Sequence, residues 1–98
     1  MTRDQALAIL KRSEPELVRR GVRRAAIFGS TARNEATAES DVDVMVELDP
    51  TYPMGVWEYA GLASFIGEQF PVRVDVANRE TLRRFIRPNA ERDAVYAF

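Results

Sequence analysis

The segment from Val42 to Leu48 constrains the fold more than any other part of the chain, because its side chains alternate with a period of two. Val42, Val44, Val46 and Leu48 occupy one set of positions, and Asp43, Met45 and Glu47 occupy the other, with Asp41 in the same phase just ahead. Successive side chains of a strand point to opposite faces of a sheet. The pattern therefore predicts a strand whose valine face is buried and whose other face carries Asp41 and Asp43 side by side.

Comparable patterns predict the remaining elements. A Thr2–Gln5 capping box opens a first helix that runs to about Arg12, and further helices are expected at 14–20, 55–70, after Asn78 and at 89–98. Two further strands are expected at 22–28 and 72–76. The order is helices, strand, loop, strand, helix, strand, helices, which predicts an α/β or α+β domain built on a small mixed β-sheet flanked by helices.

Composition limits the chemistry that is available. The 98 residues are enough for one domain, 1–98, and they include no cysteine and no histidine. Disulfides, thiol catalysis, zinc fingers and Ser-His-Asp triads are therefore excluded. We find no apolar run that could span a membrane and no signal region after Met1, so we expect a cytoplasmic protein.

Charge is segregated along the chain although the net charge is only -1. Residues 1–33 carry eight basic and three acidic side chains, residues 34–72 carry eight acidic and no basic ones, and residues 73–98 carry six basic and four acidic ones. Since the chain has no net positive charge, direct nucleic-acid binding is not expected. The acidic stretch contains the carboxylates on which the functional prediction depends.

Asp41 and Asp43 are predicted to form the core of a metal site. Two carboxylates on one face of a strand repel each other unless a cation lies between them. Asp75 is the acidic residue of the third predicted strand, and it joins the pair if the two strands are neighbours. Carboxylate oxygens suit Mg²⁺ or Mn²⁺, and two ions about 3.5–4 Å apart could share the three ligands and support displacement at phosphorus.

Gly29-Ser30 supplies the complementary half of the predicted site. A glycine after a buried strand allows a sharp turn and a close approach to a ligand, and the Ser30 hydroxyl with nearby backbone amides can hold phosphates. Arg33 could add charge-assisted hydrogen bonds to the same phosphates. Each motif alone is more often a plain turn or a solvated carboxylate pair. Their combination, Gly-Ser, a ten-residue gap and Asp-x-Asp at the start of a strand, indicates a metal-dependent nucleotide site.

Two segments, Ala26–Arg33 (AIFGSTAR) and Ser40–Glu47 (SDVDVMVE), resemble the motif of the DNA polymerase β-like nucleotidyltransferase superfamily. The chain as a whole, with Val74-Asp75-Val76, resembles its smallest members, the minimal nucleotidyltransferase (MNT) proteins. The resemblance implies that Gly29 and Ser30 bind the triphosphate and that Asp41 and Asp43 bind magnesium. It also implies that Asp75 helps to activate the acceptor hydroxyl. One departure is Asn34, where many relatives have glycine; asparagine tolerates the left-handed backbone that the turn requires.

The same resemblance implies a biological role. MNT proteins are typically encoded beside a HEPN-domain ribonuclease toxin, act as antitoxins, and transfer AMP from ATP to a tyrosine of the toxin. A magnesium-dependent protein adenylyltransferase that forms a hetero-oligomer with a HEPN toxin is therefore the first expectation. Two alternatives stay open: an antitoxin that neutralises by binding alone, and a transferase acting on a small molecule or an RNA end.

Overall fold

The structure, a computed structural model, describes residues 1–85 and 92–98, and of residues 83–85 it describes the backbone. Its elements are α1 (Arg3–Arg12), α2 (Glu14–Arg19), β1 (Val22–Phe28), α3 (Gly29–Ala32), β2 (Val42–Leu48), α4 (Val56–Gln69), β3 (Val74–Asn78), α5 (Arg79–Phe85) and β4 (Val95–Tyr96). The strands form one mixed sheet in the order β3-β2-β1-β4, in which β2 and β3 are parallel and the other neighbours are antiparallel. This confirms the predicted fold class.

The valine face of β2 forms the main core. Val42, Val44 and Val46 are buried together with residues of α1, α2 and α4, namely Ala6, Leu10, Leu17, Leu62 and Ile66. The opposite face has a smaller apolar cluster, in which Leu82 of α5 contacts Ala26 and Met45. The sheet is thus covered by three helices on one face and crossed by α5 on the other. Within the described part of the chain, no helix is long and apolar enough to cross a membrane.

Local signals set the ends of the helices. Thr2 and Gln5 form the predicted capping box at the start of α1. The Asn78 side chain accepts a hydrogen bond from the Glu80 amide (2.9 Å) and caps α5 as predicted. Pro15 lies in the first turn of α2, where its missing N–H costs nothing.

Three predictions about secondary structure and burial need correction. The third strand is Val74–Asn78 instead of 72–76, because its parallel pairing with β2 begins at Val42↔Val74. The prediction of a last helix over 89–98 is wrong for residues 95–96. These residues form β4, because β1 offers a free edge there. Residues 86–91, including Ile86 of the predicted fourth helical segment, lie outside the described residues. On α4, the helical spacing of the apolar residues predicts Val56 in the buried stripe and Trp57 beside it, but both side chains are exposed.

Candidate active site

The face of the sheet opposite the main core brings the predicted carboxylates together. Strand pairing places Asp43 between Phe28 of β1 and Asp75 of β3, with Asp43 and Asp75 in direct register. Asp41 lies one residue before β2 and two before Asp43, so strand alternation directs it to the same side. The condition set by the sequence, that these two strands be neighbours, is met, and their pairing is parallel. All three carboxylates therefore lie at one end of this face.

Gly29 lies directly against Asp43, at the point where β1 ends and α3 begins. Its backbone has a φ of 73°, in the left-handed region that favours glycine. A Cβ atom at this position would collide with the Asp43 carboxylate oxygen Oδ2. Glycine is thus required both by the backbone conformation and by the closeness of the aspartate. The Gly-Ser and Asp-x-Asp motifs, which the sequence related only by their spacing, are in contact.

The Asp43 carboxyl group is electrostatically perturbed. Burial raises its pKa, the neighbouring charges of Asp75 and Asp41 raise it further, and the positive charge of Arg33 lowers it. A half-buried carboxylate with two further aspartates nearby would gain from a bound cation. In the residues described, no three acidic side chains already stand close enough together to hold a metal ion. The carboxylates are gathered on one face, and their role as metal ligands stays a prediction.

Ser30 follows Gly29 in the single turn of α3 and is half-buried. Its carbonyl oxygen accepts a hydrogen bond from the Glu35 amide (2.8 Å), which closes the loop behind the turn. Asn34 in this loop has a φ of 59°, so it adopts the left-handed conformation expected where relatives have glycine. Its side chain Oδ1 also accepts from the Arg3 amide (3.1 Å), which ties the loop to α1. The departure from the family motif therefore leaves the turn intact.

Arg33 lies near the carboxylates but is engaged by two other acidic side chains. Its Nε atom donates to Glu35 Oε1 (2.6 Å), and its Nη1 atom donates to Asp93 Oδ2 (2.7 Å). Sequence reasoning missed both partners. Glu35 could have been suspected from its position two residues after Arg33, but nothing local connects Arg33 with a residue 60 positions away.

A second polar cluster lies at the other end of the same face. Glu47 is only 9% exposed; its Oε2 atom accepts from the Tyr96 hydroxyl (2.7 Å) and its Oε1 atom from Arg79 Nη1 (3.3 Å). The Arg24 guanidinium lies 3.8 Å from the centre of the Tyr96 ring. Burial acts to raise the pKa of Glu47, but the hydrogen bond from Tyr96 and the charges of Arg79 and Arg24 outweigh it and the pKa is lowered. Tyr96 is thus committed to packing and to Glu47.

We expect Glu47→Gln to destabilise the protein by about 1–2 kcal/mol at pH 7, because a hydrogen bond to a charged group is weakened inside the fold. Since the folded-state pKa of Glu47 is lowered, its stabilising contribution is present above the ordinary glutamate pKa and is lost as pH falls through the folded value. Urea denaturation of both proteins between pH 3 and 7 checks this. The difference should shrink towards pH 3, and Glu39→Gln, at an exposed glutamate, should show little effect at any pH.

Comparison with known proteins places this geometry in a family. The sequence model of the nucleotidyltransferase domain matches residues 5–97. The protein adenylyltransferase MntA of Thermococcus cleftensis is 30% identical over 97 residues, which cover 98% of this chain and 96% of the relative. A protein of Methanocaldococcus jannaschii, provisionally named a protein adenylyltransferase, is 33% identical over 76 residues, or 76% of each chain.

Solved structures agree with the sequence comparison. One described provisionally as a minimal nucleotidyltransferase superposes with a TM-score of 0.71 at 27% identity, covering 97% of this chain and 95% of the other. A provisionally assigned nucleotidyltransferase of Sulfolobus solfataricus, at 21% identity and a TM-score of 0.60, shares the fold. The chain belongs to the nucleotidyltransferase domain family. Within that family it is a minimal nucleotidyltransferase, as the resemblance of its motifs predicted.

Proposed function

We propose that this chain is a magnesium-dependent protein adenylyltransferase that acts as an antitoxin by transferring AMP from ATP to a tyrosine of a partner HEPN ribonuclease. The observation that carries the proposal is the pairing of Asp43 with Asp75, which puts the Asp43 carboxylate against Gly29 and Asp75 beside it on the neighbouring strand. The adenylyl group and the protein acceptor are taken from relatives that are named protein adenylyltransferases and match most of the chain.

Asp41, Asp43 and Asp75 are the residues that would hold magnesium. Their oxygen donors suit this hard cation, and a cation would offset the burial and the neighbouring negative charges that raise the pKa of Asp43. When bound, magnesium would neutralise charge on the phosphates and make the α-phosphorus a better electrophile. Gly29 lets the triphosphate approach the backbone closely, and Ser30 offers its hydroxyl to the phosphate oxygens.

The proposed transfer forms one bond and breaks one. The oxygen of the acceptor hydroxyl bonds to the α-phosphorus of ATP, while the bond from that phosphorus to the α–β bridging oxygen breaks and pyrophosphate leaves. The proton of the hydroxyl passes to the Asp75 carboxylate. Asp75 suits this role because it is exposed on β3, an edge strand of the described sheet, where a bulky acceptor has access.

Two exposed apolar side chains on α4 support the proposal that this chain binds a protein partner. Trp57 is 85% exposed and Val56 is 81% exposed, both in the first turn of this helix. Exposed large apolar side chains of this kind are frequent anchors of protein interfaces. We therefore assign them to the hetero-oligomer that the proposed function requires.

The test is to incubate the chain with α-labelled ATP, magnesium and the protein encoded by the adjacent gene. We expect label on a tyrosine of that protein, loss of its ribonuclease activity, and neither effect with the Asp41→Ala/Asp43→Ala variant. Neutralisation that persists with this variant and without ATP would replace the proposal by antitoxin action through binding alone. Label that enters only RNA or a small molecule would replace it by the other class of acceptor.

A further inference from the structure

Arg33 is held between two carboxylates that come from different parts of the chain. Glu35 belongs to the loop after α3, whereas Asp93 belongs to the C-terminal segment that leads into β4. The contacts are short, 2.6 Å from Nε to Glu35 Oε1 and 2.7 Å from Nη1 to Asp93 Oδ2. The side chain of Asp93 is 28% exposed and that of Glu35 is 63% exposed, so the Asp93 contact is the better shielded of the two.

This guanidinium is attached to the Gly-Ser turn through the backbone. The Arg33 amide donates to the Gly29 carbonyl oxygen (3.2 Å), and the Glu35 amide donates to the Ser30 carbonyl oxygen (2.8 Å). A triphosphate held by Gly29 and Ser30 would therefore lie within reach of the Arg33 side chain.

The net charge of Arg33, Glu35 and Asp93 opposes nucleotide binding to the free protein. One guanidinium with two carboxylates has a net charge of -1, so the phosphates of ATP meet repulsion where an uncompensated arginine would attract them. Arginine binds phosphate oxygens strongly because its planar fork can offer two parallel hydrogen bonds. Each forked edge of the guanidinium, Nε with Nη2 or Nη1 with Nη2, includes a nitrogen that already donates to a carboxylate, so a phosphate that binds in this way competes with Glu35 or Asp93.

We propose that Asp93 and the triphosphate compete for Arg33, so that Asp93 is a positioning residue that sets the affinity for nucleotide. Asp93 holds the guanidinium in the free protein, and the bound phosphates take over its donors. The inference rests on the proposed function, because it needs a nucleotide at Gly29-Ser30. It goes beyond that function by tying nucleotide affinity to the C-terminal segment.

Release of Asp93 has a structural consequence for β4. This strand pairs with β1 at only two positions, Ala26↔Tyr96 and Ile27↔Val95, with one further hydrogen bond from the Ala97 amide to the Ala25 carbonyl oxygen (2.8 Å). So short a strand depends on its side-chain contacts, and the Arg33–Asp93 ion pair is one of those adjoining it. We expect the amides of Val95 to Ala97 to exchange hydrogen faster when nucleotide is bound.

The experiment measures binding of a non-cleavable ATP analogue, with a methylene group between the α- and β-phosphates, by calorimetry with Mg²⁺ present. Asp93→Asn should bind the analogue about three- to tenfold more tightly than the unmodified protein, because the loss of the Asp93 charge releases Arg33 to donate to the phosphates. Glu80→Gln is the control, since Glu80 is an exposed carboxylate at the start of α5, beside the Glu47 end of the face. In an Arg33→Gln background, the effect of Asp93→Asn should largely disappear.

The outcomes separate this inference from the proposed function. An unchanged or weaker affinity of Asp93→Asn would overturn the competition, and so would an equal gain in the Arg33→Gln background, which would indicate simple repulsion. If bound nucleotide left hydrogen exchange in β4 unchanged, Arg33 would still be paired with Asp93 in the complex, and this would also overturn the competition. If the unmodified protein bound no analogue in the presence of Mg²⁺, the proposed function itself would be contradicted, and the inference that rests on it would be contradicted as well.

Discussion

Asp43→Asn should reduce nucleotidyl transfer by at least about 10²–10³-fold while leaving the fold intact, because it removes the central carboxylate of the cluster. Asp43 is the member that adjoins both the Gly-Ser turn and Asp75. The measurement is single-turnover transfer of α-labelled AMP, with circular dichroism to verify folding. Glu68→Gln, an exposed carboxylate on α4, is the control and should transfer at the unmodified rate.

The same substitution should stabilise the protein in the absence of nucleotide and metal. The folded-state pKa of Asp43 is raised, so its ionisation costs stability as pH rises through that value. At pH 7 we expect the melting temperature of Asp43→Asn to exceed that of the unmodified protein by about 2–6 °C, and the gain should fade near pH 3. A variant that loses both activity and stability at pH 7 would contradict the repulsion that we infer.

Gly29→Ala should have the largest effect on stability among the substitutions considered. A Cβ at a φ of 73° costs about 1–2 kcal/mol, and its collision with Asp43 Oδ2 adds to this cost. We expect a loss of about 2–4 kcal/mol in the free energy of unfolding and, in the fraction that folds, loss of nucleotide binding because the turn and Asp43 must separate. Urea denaturation and calorimetry with the non-cleavable analogue measure the two effects.

Gly67 provides a matched control for this substitution. It lies inside α4, has no positive φ, and a Cβ there would meet no atom within 4 Å. Gly67→Ala should therefore stabilise the protein by about 0.5–1 kcal/mol, since alanine favours the helix. Equal responses of the two glycines would contradict the role of Gly29, whereas opposite signs would support it.

The sequence predicted those parts of the fold that depend on local pattern. β1 and β2 have the expected bounds. The apolar run of β1 ends at Gly29, and the alternating run of β2 begins after Ser40-Asp41, so local sequence marks where each strand ends or begins. The prediction of β4 as helix was wrong because that strand depends on a free edge of β1, which only the assembled sheet provides. The exposure of Trp57 was missed for a related reason, since helical periodicity gives the spacing of an apolar face but not which face meets the sheet.

The candidate site likewise combines residues that the sequence identifies with contacts that only the structure reveals. Gly29, Ser30, Asp41 and Asp43 could be named from spacing, and Asp75 from its strand, but the contact between Gly29 and Asp43 depends on the β1–β2 register. The partners of Arg33 could not be found from the sequence, because Asp93 approaches it only after β4 is placed. Contacts of long sequence separation are thus where the structure adds most.

The most direct test of the central claim, a nucleotidyltransferase centre at Gly29-Ser30 and the three aspartates, is to follow the two ends of ATP separately. The chain, its partner protein and Mg²⁺ are supplied with ATP labelled at the α- or at the γ-phosphate. We predict that only the α-label enters the acceptor, that one pyrophosphate is released for each AMP transferred, and that both processes stop with Asp43→Asn or without a divalent cation. Transfer of the γ-label, or α-label transfer that survives Asp43→Asn, would contradict the account.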